Sequence, residues 1–244
     1  MTKKKIPKWM TRTNVLIGDE RLLKLINAHV LVVGLGGVGG ICAEMIARSG
    51  VGKMTIIDAD TVEASNRNRQ LPALVSTDGQ LKTKVMAERL LDINPDLDLT
   101  VHSVYLTKEN REEVIGNQHF DLAMDCIDTL SPKVYFIKFC VDNKIPLVSS
   151  MGAGGRMDPT LIKVTDIAKS HNCLLAYDVR KRLHSHGIYK GFKVVFSPEA
   201  IDKERVIATP DEERKKSVIG TISYMPAAFG IFCASVAIRD LMER

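Results

Sequence analysis

The stretch His29 to Asp60, HVLVVGLGGVGGICAEMIARSGVGKMTIIDAD, limits what this chain can fold into more than any other. It opens on an apolar run, Val30 to Val33, rich in β-branched residues and too short for an independent helix, which predicts a buried parallel strand. Gly34, Gly36, Gly37 and Gly39 follow within the pattern G-x-G-x-x-G. Ile41 to Arg48 is amphipathic and predicts a helix ending at Gly50, and Lys53 to Ile57 predicts a second strand running into Asp58. Together they make a βαβ unit with a phosphate-binding turn. The glycines permit the turn and let backbone N–H groups approach an anion at the helix N-terminus. Asp58, nineteen residues after Gly39, is placed to accept hydrogen bonds from ribose hydroxyls. The pattern points to a nucleotide without naming it.

A chain of 244 residues suits one large α/β domain, and we expect residues 1–244 to form it. The expected fold is a Rossmann-like, doubly wound, mainly parallel sheet with a C-terminal α+β extension on the same sheet. No apolar run approaches the ~20 residues that span a bilayer. The basic start, MTKKKIPKWM, lacks the apolar region of a signal peptide. The expected compartment is therefore the cytoplasm, with no membrane partner, and residues 1–10 are expected to be a disordered tail. The five cysteines are scattered without a C-x-x-C pair, which argues against a disulfide framework and a thiolate zinc site and for buried small hydrophobes. A net charge of +5 permits an anionic partner such as RNA without demanding one.

In RTNVLIGDERLLKLINA, Gly18 or Asp19 can cap a short helix with Leu22, Leu23 and Ile26 on one side. Arg12 precedes it, with a solvated charge as its plainest reading. After Asp58 comes a polar segment that packs Asn66, Arg67, Asn68, Arg69 and Gln70 together, beside the sheet edge where open parallel sheets bind ligands. Arg69 can fork onto phosphate oxygens, and Asn66 can hydrogen-bond a phosphate or ribose. The next helix, Gly79 to Ile93, carries Lys82 in its first turn, against the helix dipole; a phosphate nearby would remove that cost. A buried strand, Phe120 to Asp125, then runs into MDCIDTLSPK. Asp125 reads as a strand-end carboxylate. Asp128 either helps hold Mg²⁺ between phosphate oxygens or caps the following helix.

Pro132 to Asn143 predicts a helix, Pro146 to Ser150 a strand, and MGAGGRMDPT a flexible glycine-rich loop that folds over a substrate or simply turns. A helix from Leu174 to Leu183 ends in Arg180, Lys181 and Arg182, with Tyr189, Lys190 and Lys193 beyond. This is either a solvated helix end or a patch facing RNA phosphates. The charged stretch 202–217 predicts a mobile loop. Pro226 to Met242 predicts a closing helix whose small residues suit packing on the sheet or across a dimer.

A dehydrogenase would use the glycine turn and Asp58 but not the set Asn66, Arg69, Lys82 and Asp128. Converging cations and a Mg²⁺-binding carboxylate suit a triphosphate attacked at its α-phosphorus. At these residues, GLGGVG, IIDAD, SNRNRQ, Lys82 and the DCIDT segment, the chain resembles the ubiquitin-activating-like adenylation enzymes, a group that includes the sulfur-carrier activators. The segments RTNVLIGDERL, SSMGAGGRMDPT, KVTDIAKS and KVVFSPEA are similar to one branch of that group, the tRNA threonylcarbamoyladenosine dehydratases. The resemblance implies ATP and Mg²⁺ as cofactors. It implies that Gly34, Gly36, Gly37, Gly39, Asp58, Asn66, Arg69, Gln70 and Lys82 form the ATP site, with Asp58 on ribose and Asp128 on Mg²⁺. Arg69, Lys82, Asp128 and Arg12 become the catalytic set, Arg12 reaching into the partner's site in a homodimer. It also implies tRNA as substrate, faced by Arg180, Lys181, Arg182, Lys190 and Lys193, and leaves room for a sulfur-trafficking partner. Two other readings stand beside this one: adenylation of the C-terminus of a ubiquitin-like or sulfur-carrier protein, and nucleotide sensing without turnover.

Overall fold

The computed structural model describes residues 6–116, 118–202, 206–208 and 217–244. Its centre is a seven-stranded sheet. Strand β1 (His29–Val33) is buried along its whole length and lies between β2 (Lys53–Ile57) and β4 (Leu122–Asp125), both parallel to it. β3 (Asp98–His102) extends the sheet beyond β2, and β5 (Leu147–Ser150) and β7 (Lys193–Phe196) extend it beyond β4, all in parallel. β6 (Lys163–Asp166) closes that edge antiparallel to β7. The order β3-β2-β1-β4-β5-β7-β6 reverses direction between β1 and β4, which opens a crevice at the carboxyl ends of these strands. The expected α/β architecture, with its extension on the same sheet, is the one observed.

Helices cover both faces. α1 (Thr11–Asn27), α2 (Gly39–Arg48), α3 (Lys82–Ile93) and the last helix, α6 (Tyr224–Glu243), enclose one core around Val30, Val32, Ile46, Met54, Phe229 and Ala237. α4 (Leu130–Asp142) and α5 (Leu174–His184) enclose the other around Leu31, Phe136, Ile137, Val179 and Phe196. Glu44 on α2 ties α3 in place, accepting from Arg89 at 2.5 Å and from Arg48 at 2.8 Å.

Four expectations shift. The tail stops short of Lys8: Lys8–Met10 form a 3-10 turn, and fully buried Met10 packs against Gly50. Residues 1–5 lie outside the described residues. α1 already begins at Thr11, and Gly18, at φ +80°, breaks it near the predicted start. α6 is two residues longer at its start than predicted, and by length and composition alone it could cross a membrane. Half of it is buried inside the fold, where Gly230 lets it press on the Val38 carbonyl and Ile41 of α2. In and just beyond 202–217, the stretch expected to be a loop, Val206–Ala208 pairs antiparallel with Ser217–Ile219 as β8 and β9; positions 203–205 and 209–216 lie outside the described residues.

Candidate nucleotide site

The register levels the strand ends. Val33 stands beside Ile57 on one side and Asp125 on the other, so Gly34, Asp58 and Cys126 leave the sheet together. Gly34 N–H donates to Ile57 O at 2.8 Å, and Cys126 N–H to Val33 O at 2.9 Å. The turn needs its glycines for different reasons. Gly34 has φ +90°. A Cβ on Gly39 would fall 1.7 Å from Gly34 O, so only glycine lets α2 start so close to β1. Gly37 sits under Pro226 and the Arg69 carbonyl, where a Cβ would come within 2.9 and 3.1 Å. Gly36 faces only the end of the Gln70 side chain, 3.8 Å from where a Cβ would stand. The Gln70 Oε1 there is buried with no hydrogen-bond partner. An open glycine beneath an unpaired acceptor is the geometry a ligand fills by approaching the backbone.

Asp58 closes the turn from the side. Its carboxylate accepts Leu35 N–H at 2.6 Å and Asp60 N–H at 2.8 Å. Burial raises the Asp58 carboxyl above its ordinary value, a shift that Leu35 N–H, the Lys82 charge and Asp60 N–H oppose. Beside it, His102 ends β3 and accepts Asp58 N–H at its carbonyl, while its own Nε2 is buried and unpartnered. His102 was missed in the sequence because a lone histidine at a strand end carries no pattern.

Lys82 begins α3, buried, and its Nζ reaches Asp60 Oδ2 at 2.8 Å. Tyr105 donates to Asp60 Oδ1 at 2.7 Å. Asp60 thus offsets the misfit of a cation at a helix N-terminus. The doublet Asp58 and Asp60 was legible as IIDAD, but only Asp58 drew a role. Asn66 is buried and shapes the next segment: its Oδ1 accepts Glu63 N–H at 3.3 Å, and its carbonyl accepts Arg69 N–H and Gln70 N–H at 3.0 and 2.9 Å. Arg69 is held by Ser65 O at 3.0 Å and Asn68 Oδ1 at 2.7 Å. Asp128 is exposed, and Thr129, not Asp128, occupies the N-cap of α4.

Two expectations about surroundings are corrected. The glycine-rich loop after β5 is not free: Arg156, 2% exposed, lies inside it and donates to the carbonyls of Gly152, Gly154 and Ser197. Glu199 accepts Met157 N–H and Asp158 N–H at 3.0 Å, and Tyr224 donates to Met157 O at 3.0 Å. Of the basic residues, Arg180 turns inward to Ser170, and Lys193 is paired with Asp240 at 2.6 Å. Lys181 and Lys190 are exposed, and Arg182 reaches Ser131 Oγ at 2.6 Å, three residues beyond Asp128. Arg12 is exposed on α1.

Fold and site together define an α/β protein of the nucleotide-binding type, whose glycine turn is flanked by the Asp58 carboxylate and by the side chains of Lys82 and Arg69. The ThiF family profile matches residues 11–244, and this chain belongs to the ThiF family. It is 36% identical over 240 residues to the tRNA threonylcarbamoyladenosine dehydratase of Bacillus subtilis, covering 96% of this chain and 94% of that one. To the Escherichia coli protein of the same name it is 38% identical over 246 residues, covering 94% and 91%. The crystal structure of the Escherichia coli tRNA N6-threonylcarbamoyladenosine dehydratase in complex with ATP superposes with a TM-score of 0.88 at 37% identity, covering 98% of each chain.

Proposed function

We propose that this chain is an ATP-dependent tRNA threonylcarbamoyladenosine dehydratase. The observation that carries the reading is the whole-length likeness to dehydratases, one of them solved with ATP, centred on a glycine turn with an open Gly36 and a flanking Asp58. The threonyl carboxylate of the modified adenosine at tRNA position 37 attacks the α-phosphorus of ATP, and pyrophosphate leaves. The carbamoyl group of the same nucleoside then attacks the activated carbonyl, AMP leaves and a ring forms, with net loss of water from the nucleoside.

In this scheme the backbone of Gly34 to Gly39 receives phosphate oxygens, Asp58 holds ribose, and Asn66, Arg69 and Gln70 line the phosphate path. Lys82 and Arg69 neutralise the charge that develops on the leaving pyrophosphate. Asp128 fits a Mg²⁺ shared with phosphates. Among the described residues no group of three or more His, Cys, Asp or Glu side chains could cage a metal, and Mg²⁺ is ordinarily held by one or two carboxylates together with phosphates and water. When bound, the ion would spread phosphate charge. No enzyme thiolate is used, in keeping with burial of Cys42, Cys140, Cys173 and Cys233. Burial pushes the Cys140 and Cys233 thiols well above the ordinary value, and contact with Cys126, then burial, does so for Cys42.

Arg12 completes the site of a second copy. Val15 and Leu16 on the same helical segment are 84% and 82% exposed, an apolar surface suited to a homodimer. Exposed Lys181 and Lys190, with Arg182 close to the start of α4, form the tRNA-facing surface. The reading places the enzyme in the cytoplasm with its tRNA. The test is conversion of threonylcarbamoyl-modified tRNA by the protein with ATP and Mg²⁺, followed by nucleoside mass spectrometry.

A further inference from the structure

Among the described residues, one of the largest fully buried side chains is a charged one, Lys133 on α4. Its Nζ donates to Asp125 Oδ2 at 2.7 Å and to Ile127 O at 2.8 Å. Asp125, the last residue of β4, is equally buried, and accepts Ser149 Oγ at 2.5 Å and, through Oδ1, Ile127 N–H at 3.1 Å. Both backbone polar groups of Ile127 are therefore held by side chains, one by each member of the ion pair.

The Ile127 peptide is the seam between two halves of the site. On one side the Cys126–Ile127 peptide bears on the glycine turn: Cys126 O and Ile127 N lie 2.8 and 3.2 Å from where a Cβ on Gly34 would stand. On the other side Ile127 is joined to Asp128. An ion pair withdrawn from water is a poor stabiliser, because desolvation cancels most of the attraction and a packed apolar pair often serves as well. What the pair does supply is a fixed peptide.

We propose that Asp125 and Lys133 form a buried clamp on the Ile127 peptide that sets the position of Asp128 relative to the glycine turn. Lys133 is then a positioning residue, acting through Ile127 and Asp128 and touching no substrate. The proposal rests on the nucleotide-site reading above.

Two variants test it in the full-length protein. The apolar variant Asp125→Leu with Lys133→Met and Ser149→Ala removes the pair and its hydroxyl together, so no buried charge is stranded. The amide variant Asp125→Asn with Lys133→Gln keeps a donor and an acceptor for Ile127 without charge. The apolar variant is expected to fold with a Tm near that of the wild type and to bind ATP with little change. Amide hydrogen exchange in the segment Cys126–Asp128 should speed up by about tenfold or more, and kcat should fall about 100-fold, the cost of a misplacement near 1 Å. The amide variant should recover exchange protection and bring kcat back to within about tenfold of the wild type. Wild-type exchange and kcat in the apolar variant would overturn the clamp. If that variant does not fold, the amide variant decides alone: restored protection with restored kcat supports the clamp, and protection without kcat overturns it. Absence of turnover in the wild-type protein would instead sink the functional reading and leave the exchange arm intact.

Discussion

Lys82 Nζ stands 2.8 Å from Asp60 Oδ2, and the ammonium is almost wholly buried while the carboxylate is half exposed. Asp60 therefore orients the cation from outside, with Tyr105 on its second oxygen. Lys82→Ala should lower kcat for pyrophosphate release by about 10²–10³. Asp60→Ala should lower it less, by about 10–100-fold, as expected when an orienting partner is lost. Steady-state kinetics with modified tRNA check both, and equal losses would assign Asp60 a direct role.

The glycine turn separates folding from binding. Gly39→Ala puts a Cβ against Gly34 O and should destabilise the fold by several kcal/mol, on the order of the largest single-site effects. Gly36→Ala meets nothing closer than 3.8 Å and should melt like the wild type while losing ATP affinity. Calorimetric melting and ATP titration of the two variants give opposite patterns if the open space above Gly36 belongs to the ligand.

Leu16→Glu introduces a charge on a side chain 82% exposed in the single chain, so an isolated subunit should tolerate it. In a homodimer with shared sites it should shift the sedimentation coefficient to that of a monomer and abolish turnover together. A monomeric wild type in the same measurement would remove Arg12 from the site.

Stability should weaken in mild acid. His29 is buried at the start of β1, with its ring nitrogens on His119 O at 2.8 Å and Thr55 Oγ1 at 2.9 Å. Burial lowers its pKa from 6.5 despite the His119 carbonyl. The unfolded chain therefore takes up its proton first. The native state's advantage is full above pH 6.5 and is lost as pH falls through that value towards the folded pKa. Denaturant midpoints measured across this window should fall for the wild type and flatten for His29→Gln.

The basic residues divide by what they touch. Lys181→Glu with Lys190→Glu should weaken tRNA binding and reduce its salt dependence, without changing ATP affinity. Arg180→Ala should cost stability instead, since its guanidinium is bound to Ser170. Filter binding across a salt series separates the two outcomes.

The strand, glycine turn and Asp58 were legible because their chemistry is local: β-branched runs, glycines where a Cβ cannot fit, and a carboxylate at a fixed distance. Lys82 was legible as a misfit, a cation at a helix start. Arg156 and Lys133 were not, because both lie in stretches whose composition reads as loop or helix surface, and only tertiary packing turns them inward. The same holds for Met10, whose burial depends on Gly50, forty residues away in sequence. The basic cluster from Arg180 to Lys193 looks uniform in sequence because a helix end shows its charges without showing which of them the neighbouring elements bind.

The most direct measurement is mass spectrometry of nucleosides from threonylcarbamoyl-modified tRNA incubated with this protein, ATP and Mg²⁺. A dehydratase gives a product lighter by one water that forms only with ATP. An unchanged nucleoside, with ATP bound and the protein folded, would contradict that assignment.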